Sequence, residues 1–357
     1  MRFLALTLTL AAIPAMAAEY PLWNGEPVEE YAKRVGLPPT KTIDLGDGVA
    51  MEFVLIPAGT FTMGTQKPGP FDSSPYATQT WIGWVAFTVS LVVVVMLLAL
   101  TIRRAIREKR RPQVSLAWLL VFVVVGSSAI LSWLHWTHSA QTLAAAKWSH
   151  GTVMSVCSDT PAHDVTLTRP YYIGKYEVTQ DQYQQAMGKN PSRFKGNLLP
   201  VEMVAWSDAQ VFCSKVSSKV GLSVRMPTEA EWEHACRAGT TTTYHSGDTE
   251  SALDHVGWYD ENKDKGTAPV GKKESNPWGI HDMHGNVYEW CQDRREKYGN
   301  AAVVDPRCPP SGTHRTARGG AWTETREFCS SWFRMAVESN VKSNNIGFRV
   351  VLDIKNP

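Results

Sequence analysis

The sequence of 357 residues predicts an α+β domain with little regular secondary structure, interrupted by a two-helix transmembrane hairpin. Two apolar segments, residues 81–102 and 114–136, contain no Asp, Glu, Lys or Arg and are long enough to cross a bilayer. Strand-like alternation occurs on both sides of this apolar region. Three helix starts then follow one another without intervening strands, which favours α+β over a βαβ arrangement.

The N-terminal stretch "MRFLALTLTLAAIPAMA", residues 1–17, has the pattern of a secretory signal peptide. It carries one basic residue, an apolar run and a small-x-small end, which predicts cleavage after Ala17. An uncleaved N-terminal anchor is the alternative. Export would place the six cysteines in an oxidising compartment where disulfides can form, although their connectivity stays open.

The two strand-like regions that flank the apolar segments are "MEFVLIPAGTFTMGT" and "HDVTLTRPYYIGKYEVT". Because a helical hairpin returns the chain to its starting side, it can be inserted into a surface loop of one domain. The predicted units are an N-terminal segment (18–48), the first part of the domain (49–65), a linker (66–80), the hairpin (81–136), a second linker (137–160) and the main part of the domain (161–357).

The predicted hairpin has tryptophans at its outer ends, Trp81 and Trp84 on the first helix and Trp133 and Trp136 on the second. This placement is typical of a membrane interface, and membrane lipid is the expected partner. A pair of buried core helices is the alternative.

The loop between the two helices, residues 103–113, carries six basic residues and one acid. The positive-inside rule places such a loop in the cytoplasm. We therefore expect the protein in the inner (cytoplasmic) membrane, with its domain in the periplasm or exterior, on the side to which the signal peptide directs it.

Three capping boxes predict helix starts in the main part of the domain, at "TQDQ" (179–182), "SDAQ" (207–210) and "TEAE" (228–231). A glycine closely follows each predicted helix, at Gly188, Gly221 and Gly239. After residue 240 we expect loops and short strands, closed by the strand "IGFRVVLDI". The net charge of +2 gives no field for a nucleic-acid partner.

The segment "HDMHGNVYEW", residues 281–290, carries the strongest candidate site. Asp282 and Glu289 flank Gly285, which permits a sharp turn with carbonyl oxygens directed inward. Carboxylates and carbonyls on a tight loop suit calcium. From spacing alone, turn capping by both acids is the favoured alternative, and the nearby histidines match no zinc pattern.

A longer set of motifs occurs in order along the chain: "IPAGTFTMG", "YYIGKYEVTQDQY", "PVEMVAWSDAQVFC", "RMPTEAEWEHACRAG", "WGIHDMHGNVYEW", "RGGAW" and "NNIGFRVV". With these motifs the chain resembles the formylglycine-generating enzyme family, also called sulfatase-modifying factors, over residues 50–65 and 160–352. The resemblance implies a domain related to the C-type lectin fold, with structural calcium.

The resemblance makes calcium the favoured interpretation of the 281–290 segment. It implies that the side chains of Asp282 and Glu289, together with the carbonyls of Gly285 and Val287, hold the ion. The other family calcium site would fall near residues 257–269, where the loop is shorter and no ligands can be assigned.

The family's oxidases use two cysteines five positions apart to bind copper(I), which prefers soft thiolates. The second of these falls on Cys329 of this chain, but the first falls on Glu324. Ala321, Thr325 and Tyr288 also depart from the oxidase pattern. Glu324 and Cys329 are therefore candidate catalytic residues only under an oxidase interpretation, which alone would require copper.

The family disulfides are also incomplete in this chain. Cys213 and Cys236 match the family, but the resemblance places their partners around Met335 and at Val350. The two cysteines are then either buried thiols or partners of Cys291, Cys308 or Cys157.

Whether the protein is an enzyme stays open, and two functions compete. The favoured one is an atypical family member that binds or assembles an exported peptide or glycan. The alternative is a formylglycine-generating or related oxidase that acts on exported proteins, sulfatases among them, through Cys329. The candidate cleft residues are Trp206, Tyr288, Trp290, Trp322, Arg326 and Trp332. A third possibility is a scaffolding role for the hairpin through its Gly126-Ser127-Ser128 patch.

Overall fold

The computed structural model describes residues 20–66, 103–104, 107, 161–262, 265–307 and 313–354. The chain divides into two compact units, one of residues 1–66 and 159–357 and the other of residues 67–158. In the second unit, Arg103, Arg104 and Arg107 are helical and exposed. The predicted signal peptide and both predicted membrane spans lie outside the described residues. Within the described ranges, no helix is long and apolar enough to cross a membrane.

The first unit contains five α-helices and fourteen short strands among its described residues. The helices are α1 (Val28–Val35), α2 (Gln180–Met187), α3 (Trp206–Val220), α4 (Glu229–Arg237) and α5 (Glu250–Val256). The strands are β1 (Thr40–Gly46), β2 (Val49–Ile56), β3 (Gly59–Met63), β4 (His163–Leu167), β5 (Tyr171–Gly174), β6 (Val224–Arg225), β7 (Gly257–Trp258), β8 (His284–Gly285), β9 (Tyr288–Arg294), β10 (Val303–Val304), β11 (His314–Arg318), β12 (Arg334–Glu338), β13 (Ile346–Gly347) and β14 (Val351–Leu352).

Strands from the two sides of residues 67–158 pair directly. In the five-stranded sheet, of order β1-β2-β5-β14-β6, β2 pairs antiparallel with β5 and Phe53 lies opposite Gly174. In the three-stranded sheet, of order β10-β4-β3, Met63 lies opposite His163. The chain before residue 67 and the chain after residue 158 therefore build the same sheets.

The candidate site lies near the other two sheets. A four-stranded sheet has the order β12-β11-β9-β13, and β7 pairs with β8 in a parallel two-stranded sheet. Strand β9 contains Tyr288 and Glu289, and β11 ends at Arg318, immediately before the two glycines of "RGGAW". The short strands and long connections agree with the predicted α+β fold of low regular content.

Two of the three predicted capping boxes are confirmed. Thr179 and Thr228 each accept a hydrogen bond from the N–H three residues on, and the Gln182 and Glu231 side chains bond back to the cap N–H. The box predicted at Ser207 is wrong, because α3 begins at Trp206 and the Asp208 carboxylate accepts from the N–H of Ala205. An acid at the third helical position satisfies this amide without a hydroxyl cap.

A buried network of charges fixes α4 against β11. Arg318 is fully buried, 3.0 Å from the Glu229 carboxylate and 2.6 Å from that of Glu233. Arg334 of β12 pairs with Glu229, and Arg237 with Glu233. Since buried charges are stable only when paired, this network holds the end of β11 in one position and therefore fixes the start of the "RGGAW" loop.

Candidate functional site

Gly320, the second glycine of the pair after β11, is required by the packing of Cys329. Gly319 and Gly320 have φ of 95° and 76°, a conformation that disfavours side chains. A Cβ on Gly320 would lie 2.5 Å from the Cys329 sulfur. The absence of a side chain at Gly320 thus allows the loop to lie directly against this cysteine.

Cys329 ends a 3₁₀ helix, Arg326–Cys329, and is fully buried in an apolar cluster with Tyr244, Leu253, Val256 and Tyr259. Burial raises the pKa of its thiol well above 9.0, and the nearby Glu324 carboxylate raises it further. The thiolate is the form that attacks electrophiles and binds soft metals. At neutral pH Cys329 is therefore held as an unreactive thiol.

The motif resemblance places Glu324 where the family's oxidases have their first cysteine. Its half-buried side chain accepts a hydrogen bond from the Thr323 hydroxyl at 3.1 Å, and its carbonyl accepts one from the N–H of Asp260 at 3.0 Å. Burial raises the pKa of Glu324 to about 7, and Asp260 adds to the rise. The carboxyl can therefore change its charge near neutral pH.

Tyr288 lies near Glu324 and Cys329. It is fully buried, and its hydroxyl has no hydrogen-bond partner in the described chain. Burial, together with the nearby Glu324 and Cys329, raises its pKa well above 10.0. Its backbone N–H donates to the carbonyl of Asn345, whose side chain donates to the Thr323 hydroxyl. This chain of bonds ties Tyr288 to the segment that carries Glu324.

The donors of this site do not fit copper(I). The ion requires soft sulfur ligands, whereas the site offers one protonated, buried thiol and a carboxyl. The other described cysteines do not form disulfides: Cys213, Cys236 and Cys291 are free and buried. The predicted alternative of buried thiols therefore holds for Cys213 and Cys236, and a bond to Cys291 is excluded. Cys157 and Cys308 lie outside the described residues.

Two further predicted cleft residues accompany this group. The half-buried Trp322 packs edge-on against Phe194 and donates from its indole N–H to the Asn344 carbonyl. Arg326 is partly exposed and forms ion pairs with carboxylates. The structure therefore gathers Tyr288, Trp322, Glu324, Arg326 and Cys329.

The other three predicted cleft residues contact other parts of the domain. Trp290 is fully buried and donates to the Val204 carbonyl, so it belongs to the core. Trp206, at the start of α3, donates to the Cys291 carbonyl, and Arg315 stacks on its ring. Trp332 lies 5.9 Å from the Arg237 guanidinium. Because these contacts depend on tertiary packing, the tryptophan positions alone did not separate them from the cleft.

The predicted calcium ligands show two different environments. The Glu289 carboxylate forms two hydrogen bonds with Arg349 and accepts a third from the Trp232 indole N–H, so its charge is already balanced. Asp282, in contrast, is buried with one carboxylate oxygen unpartnered. A Cβ on Gly285 would lie 1.9 Å from the Trp258 carbonyl, so only glycine fits in this turn.

A further acid, Glu177, contacts the same loop, although the motifs did not single it out. Its carboxylate accepts from the Asn286 amide at 2.8 Å and from the Val287 N–H at 3.2 Å. Burial raises the pKa of Glu177 well above 4.5, and the Asp282 and Glu289 charges add to this. The available signal was that Glu177 is the single acid of the stretch "YYIGKYEVT".

Burial also raises the pKa of Asp282, to about 6, and Glu289 contributes. Two buried carboxyls with raised pKa values, one of them with an unpartnered oxygen, suit a hard cation held by Glu177 and Asp282 with carbonyl ligands. Glu289, in contrast, is neutralised by Arg349. In the part of the chain that the structure describes, no three His, Cys, Asp or Glu side chains converge to hold a metal by themselves.

Comparison with known proteins decides the family. Residues 140–354 match the sulfatase-modifying factor enzyme 1-like domain. This chain belongs to the sulfatase-modifying factor family. The resemblance inferred from the motifs is therefore confirmed.

Two relatives have names that indicate different functions. The chaperone protein LppX of Paenibacillus barcinonensis is 30% identical over 286 residues, which cover 66% of this chain and 98% of that protein. The formylglycine-generating enzyme of Streptomyces coelicolor is 32% identical over 172 residues, or 43% of this chain and 52% of the enzyme. The chain thus spans about half of that enzyme but nearly all of the chaperone.

Two solved structures share the fold. Variable protein 1 of Treponema denticola has a TM-score of 0.60 at 23% identity, covering 88% of this chain and 99% of that protein. PvdO from Pseudomonas aeruginosa has a TM-score of 0.54 at 22% identity, covering 89% and 99%. At these identities the similarity concerns the fold alone.

Proposed function

We propose that this sulfatase-modifying factor family member is a binding and assembly module, which holds an exported peptide or glycan at the group formed by Tyr288, Trp322, Glu324, Arg326 and Cys329. One observation carries the proposal: Glu324 stands where an oxidase needs a thiol, and the remaining Cys329 is buried and protonated. A scaffold that lost its copper ligand keeps its shape and its partly exposed aromatic and charged groups.

The relative LppX supports this function. That protein is described as a chaperone, and the similarity extends over nearly its whole length. A chaperone acts by binding another protein, and it needs no redox centre. We extend that role to this chain, with exported proteins as its partners.

The binding experiment uses the full-length protein in detergent against arrays of exported peptides and glycans. We expect saturable binding to a subset of ligands that is lost in a Trp322→Ala variant. Trp332→Ala is the matched control, because the Trp332 ring lies beside the Arg237 guanidinium. Absence of saturable binding to any ligand would refute the function.

An oxidase acting through Cys329, with Glu324 as its general base, is the second candidate. The pKa of about 7 favours it, because a base is most effective when its pKa lies near the working pH. The test incubates the protein with copper, oxygen and a Cys-x-Pro-x-Arg peptide of the kind found in sulfatases. We expect unchanged peptide mass. A mass loss consistent with aldehyde formation, abolished in Cys329→Ala, would establish the oxidase instead.

We also propose that the protein is exported and is held in the inner membrane by the hairpin of residues 81–102 and 114–136, with its domain in the periplasm. The uninterrupted apolar composition of both segments and the basic residues between them support this topology. Reporter fusions in the loop of residues 103–113 test it. Cytoplasmic reporter activity is expected, and periplasmic activity would overturn the topology.

A structural calcium ion is part of the same proposal. The ion would be held by Glu177 and Asp282 with carbonyls of the 285–287 turn, where it would remove the repulsion between two buried carboxyls. Its role there is to brace the turn that precedes Tyr288.

A further inference from the structure

The surroundings of Glu324 are strongly acidic. The exposed carboxylates nearby are Glu250, Asp260, Glu261 and Glu327. The only cation in this group of described residues is Arg326, which pairs with Glu250 and lies 3.5 Å from Glu261 and 3.4 Å from Glu327. Because Arg326 is shared among several acids, this group of exposed residues, called the rim below, keeps an excess of negative charge.

Glu324 itself has no cationic partner in the described chain. Its interactions are a hydrogen bond from Thr323 and repulsion from Asp260. Several buried acids of this domain, Glu229, Glu233 and Glu289, are paired with arginine. Glu324 has no such pair, and a ligand of opposite charge would supply one.

The hydroxyl of Tyr288 is an independent sign of a missing ligand. A fully buried phenol normally finds a hydrogen-bond partner, yet this one has none among the described residues. It lies close enough to Glu324 and Cys329 to interact electrostatically with both. Two polar groups without full partners, Glu324 and Tyr288, therefore lie together beside the buried thiol.

We propose that Glu324, Asp260 and Tyr288 together bind a lysine or arginine side chain of an exported peptide. An N–H of the bound cation would donate to the Glu324 carboxylate and another to the Tyr288 phenol oxygen. This proposal rests on the proposed binding function and names its ligand class. The excess of carboxylates disfavours acidic ligands, and a neutral glycan would leave the charge of Glu324 unpaired.

The first experiment compares four fluorescent peptides that differ at one position, which carries Lys, Arg, norleucine or Glu. Their dissociation constants for the full-length protein in detergent are measured by fluorescence anisotropy. We expect the Lys and Arg peptides to bind at least about tenfold more tightly than the norleucine peptide, because a hydrogen-bonded charge pair replaces an unpaired acid. Equal binding of the Lys and norleucine peptides would overturn the proposal.

Variants locate the effect. Glu324→Gln should abolish the preference for Lys over norleucine, and Tyr288→Phe should reduce it. Glu327→Gln is the matched control, because Glu327 is an exposed acid of the same rim, and it should keep the preference. Equal losses in the Glu324 and Glu327 variants would show diffuse surface attraction and refute a specific site.

The same measurements separate this inference from the function on which it rests. If no peptide binds the wild-type protein, the binding function fails. If the norleucine peptide binds as well as the Lys peptide, peptide binding stands and the proposed acidic site for a basic side chain fails. The comparison of peptides on the wild-type protein remains decisive even where a variant does not fold.

The pH dependence gives a further test. Burial raises the pKa of Glu324 to about 7, and the groups that face it are Thr323, Asp260, Cys329 and Tyr288. Protonation removes the charge that pairs with the ligand, so the preference for Lys should shrink as the pH falls from about 8 to about 6. A preference that does not change over this range would contradict the assignment to Glu324.

Discussion

Arg349 and Glu289 form a fully buried ion pair in which each carboxylate oxygen accepts a hydrogen bond of 2.6 Å from the guanidinium. The same arginine donates to the carbonyls of Gly174 and His281, so it joins β5 and the loop before β8 to strand β9. Because Glu289 follows Tyr288 in strand β9, this ion pair also helps to position Tyr288.

Replacing Arg349 by Met should lower the free energy of unfolding by about 3–5 kcal/mol, because it leaves the Glu289 charge buried without a partner. Unfolding in urea, followed by tryptophan fluorescence, measures the change. Arg326→Met is the control, since the partly exposed Arg326 should contribute no more than about 1 kcal/mol. Similar losses of unfolding free energy in the two variants would show that the buried ion pair stabilises the fold no more than the partly exposed Arg326 does.

Calcium should raise the unfolding temperature of the protein, and a chelator should reverse the rise. At a free concentration about 100 times the dissociation constant, the stabilisation should be about 2.7 kcal/mol. Glu177→Gln and Asp282→Asn should abolish the response, whereas Glu52→Gln removes an exposed acid and should retain it. A wild-type protein whose melting curve ignores calcium would argue against the ion.

Glu202 should make stability depend on pH. Burial raises its pKa from 4.5 to about 7, although the N–H of Phe194 donates to one carboxylate oxygen. Because the folded state holds this proton more tightly than the unfolded state, stability should decrease as the pH rises from about 4.5 to about 7. The contribution lost is about 1–3 kcal/mol.

Glu202→Gln removes this titration and keeps an acceptor for the Phe194 N–H. Its stability relative to the wild type should therefore be greater at pH values of about 8 than at about 5, as measured by denaturant unfolding at each pH. Glu30→Gln, at an exposed position, controls for loss of a surface charge. A constant difference between wild type and Glu202→Gln at all pH values would refute the prediction.

The sequence was informative where structure depends on local contacts. The capping boxes at Thr179 and Thr228 involve a side chain and amides three residues away, so the motif suffices to predict them. The error at Ser207 was also local, because Asp208 competed for the cap through the N–H of Ala205. The ordered motifs identified the family and thereby the fold.

The candidate site depended on long-range contacts that no local motif contains. Glu289 and Arg349 are 60 residues apart, and Glu177 meets Val287 across 110 residues. Motif comparison assigned Glu324 and Cys329 to the positions of the two copper-binding cysteines of the family's oxidases. The raised pKa of the carboxyl and the unpartnered Tyr288 hydroxyl follow from burial, which only the tertiary structure defines.

Copper(I) coordination tests most directly whether Glu324 has replaced a metal-binding thiol. Copper-edge X-ray absorption and competition titration should be carried out on the wild-type protein and on Glu324→Cys, which restores the second sulfur. We expect weak copper(I) binding without a two-sulfur site in the wild type, and tighter, two-sulfur coordination in the variant. Tight two-sulfur coordination in the wild-type protein, lost in Cys329→Ala, would contradict a non-oxidase binding module.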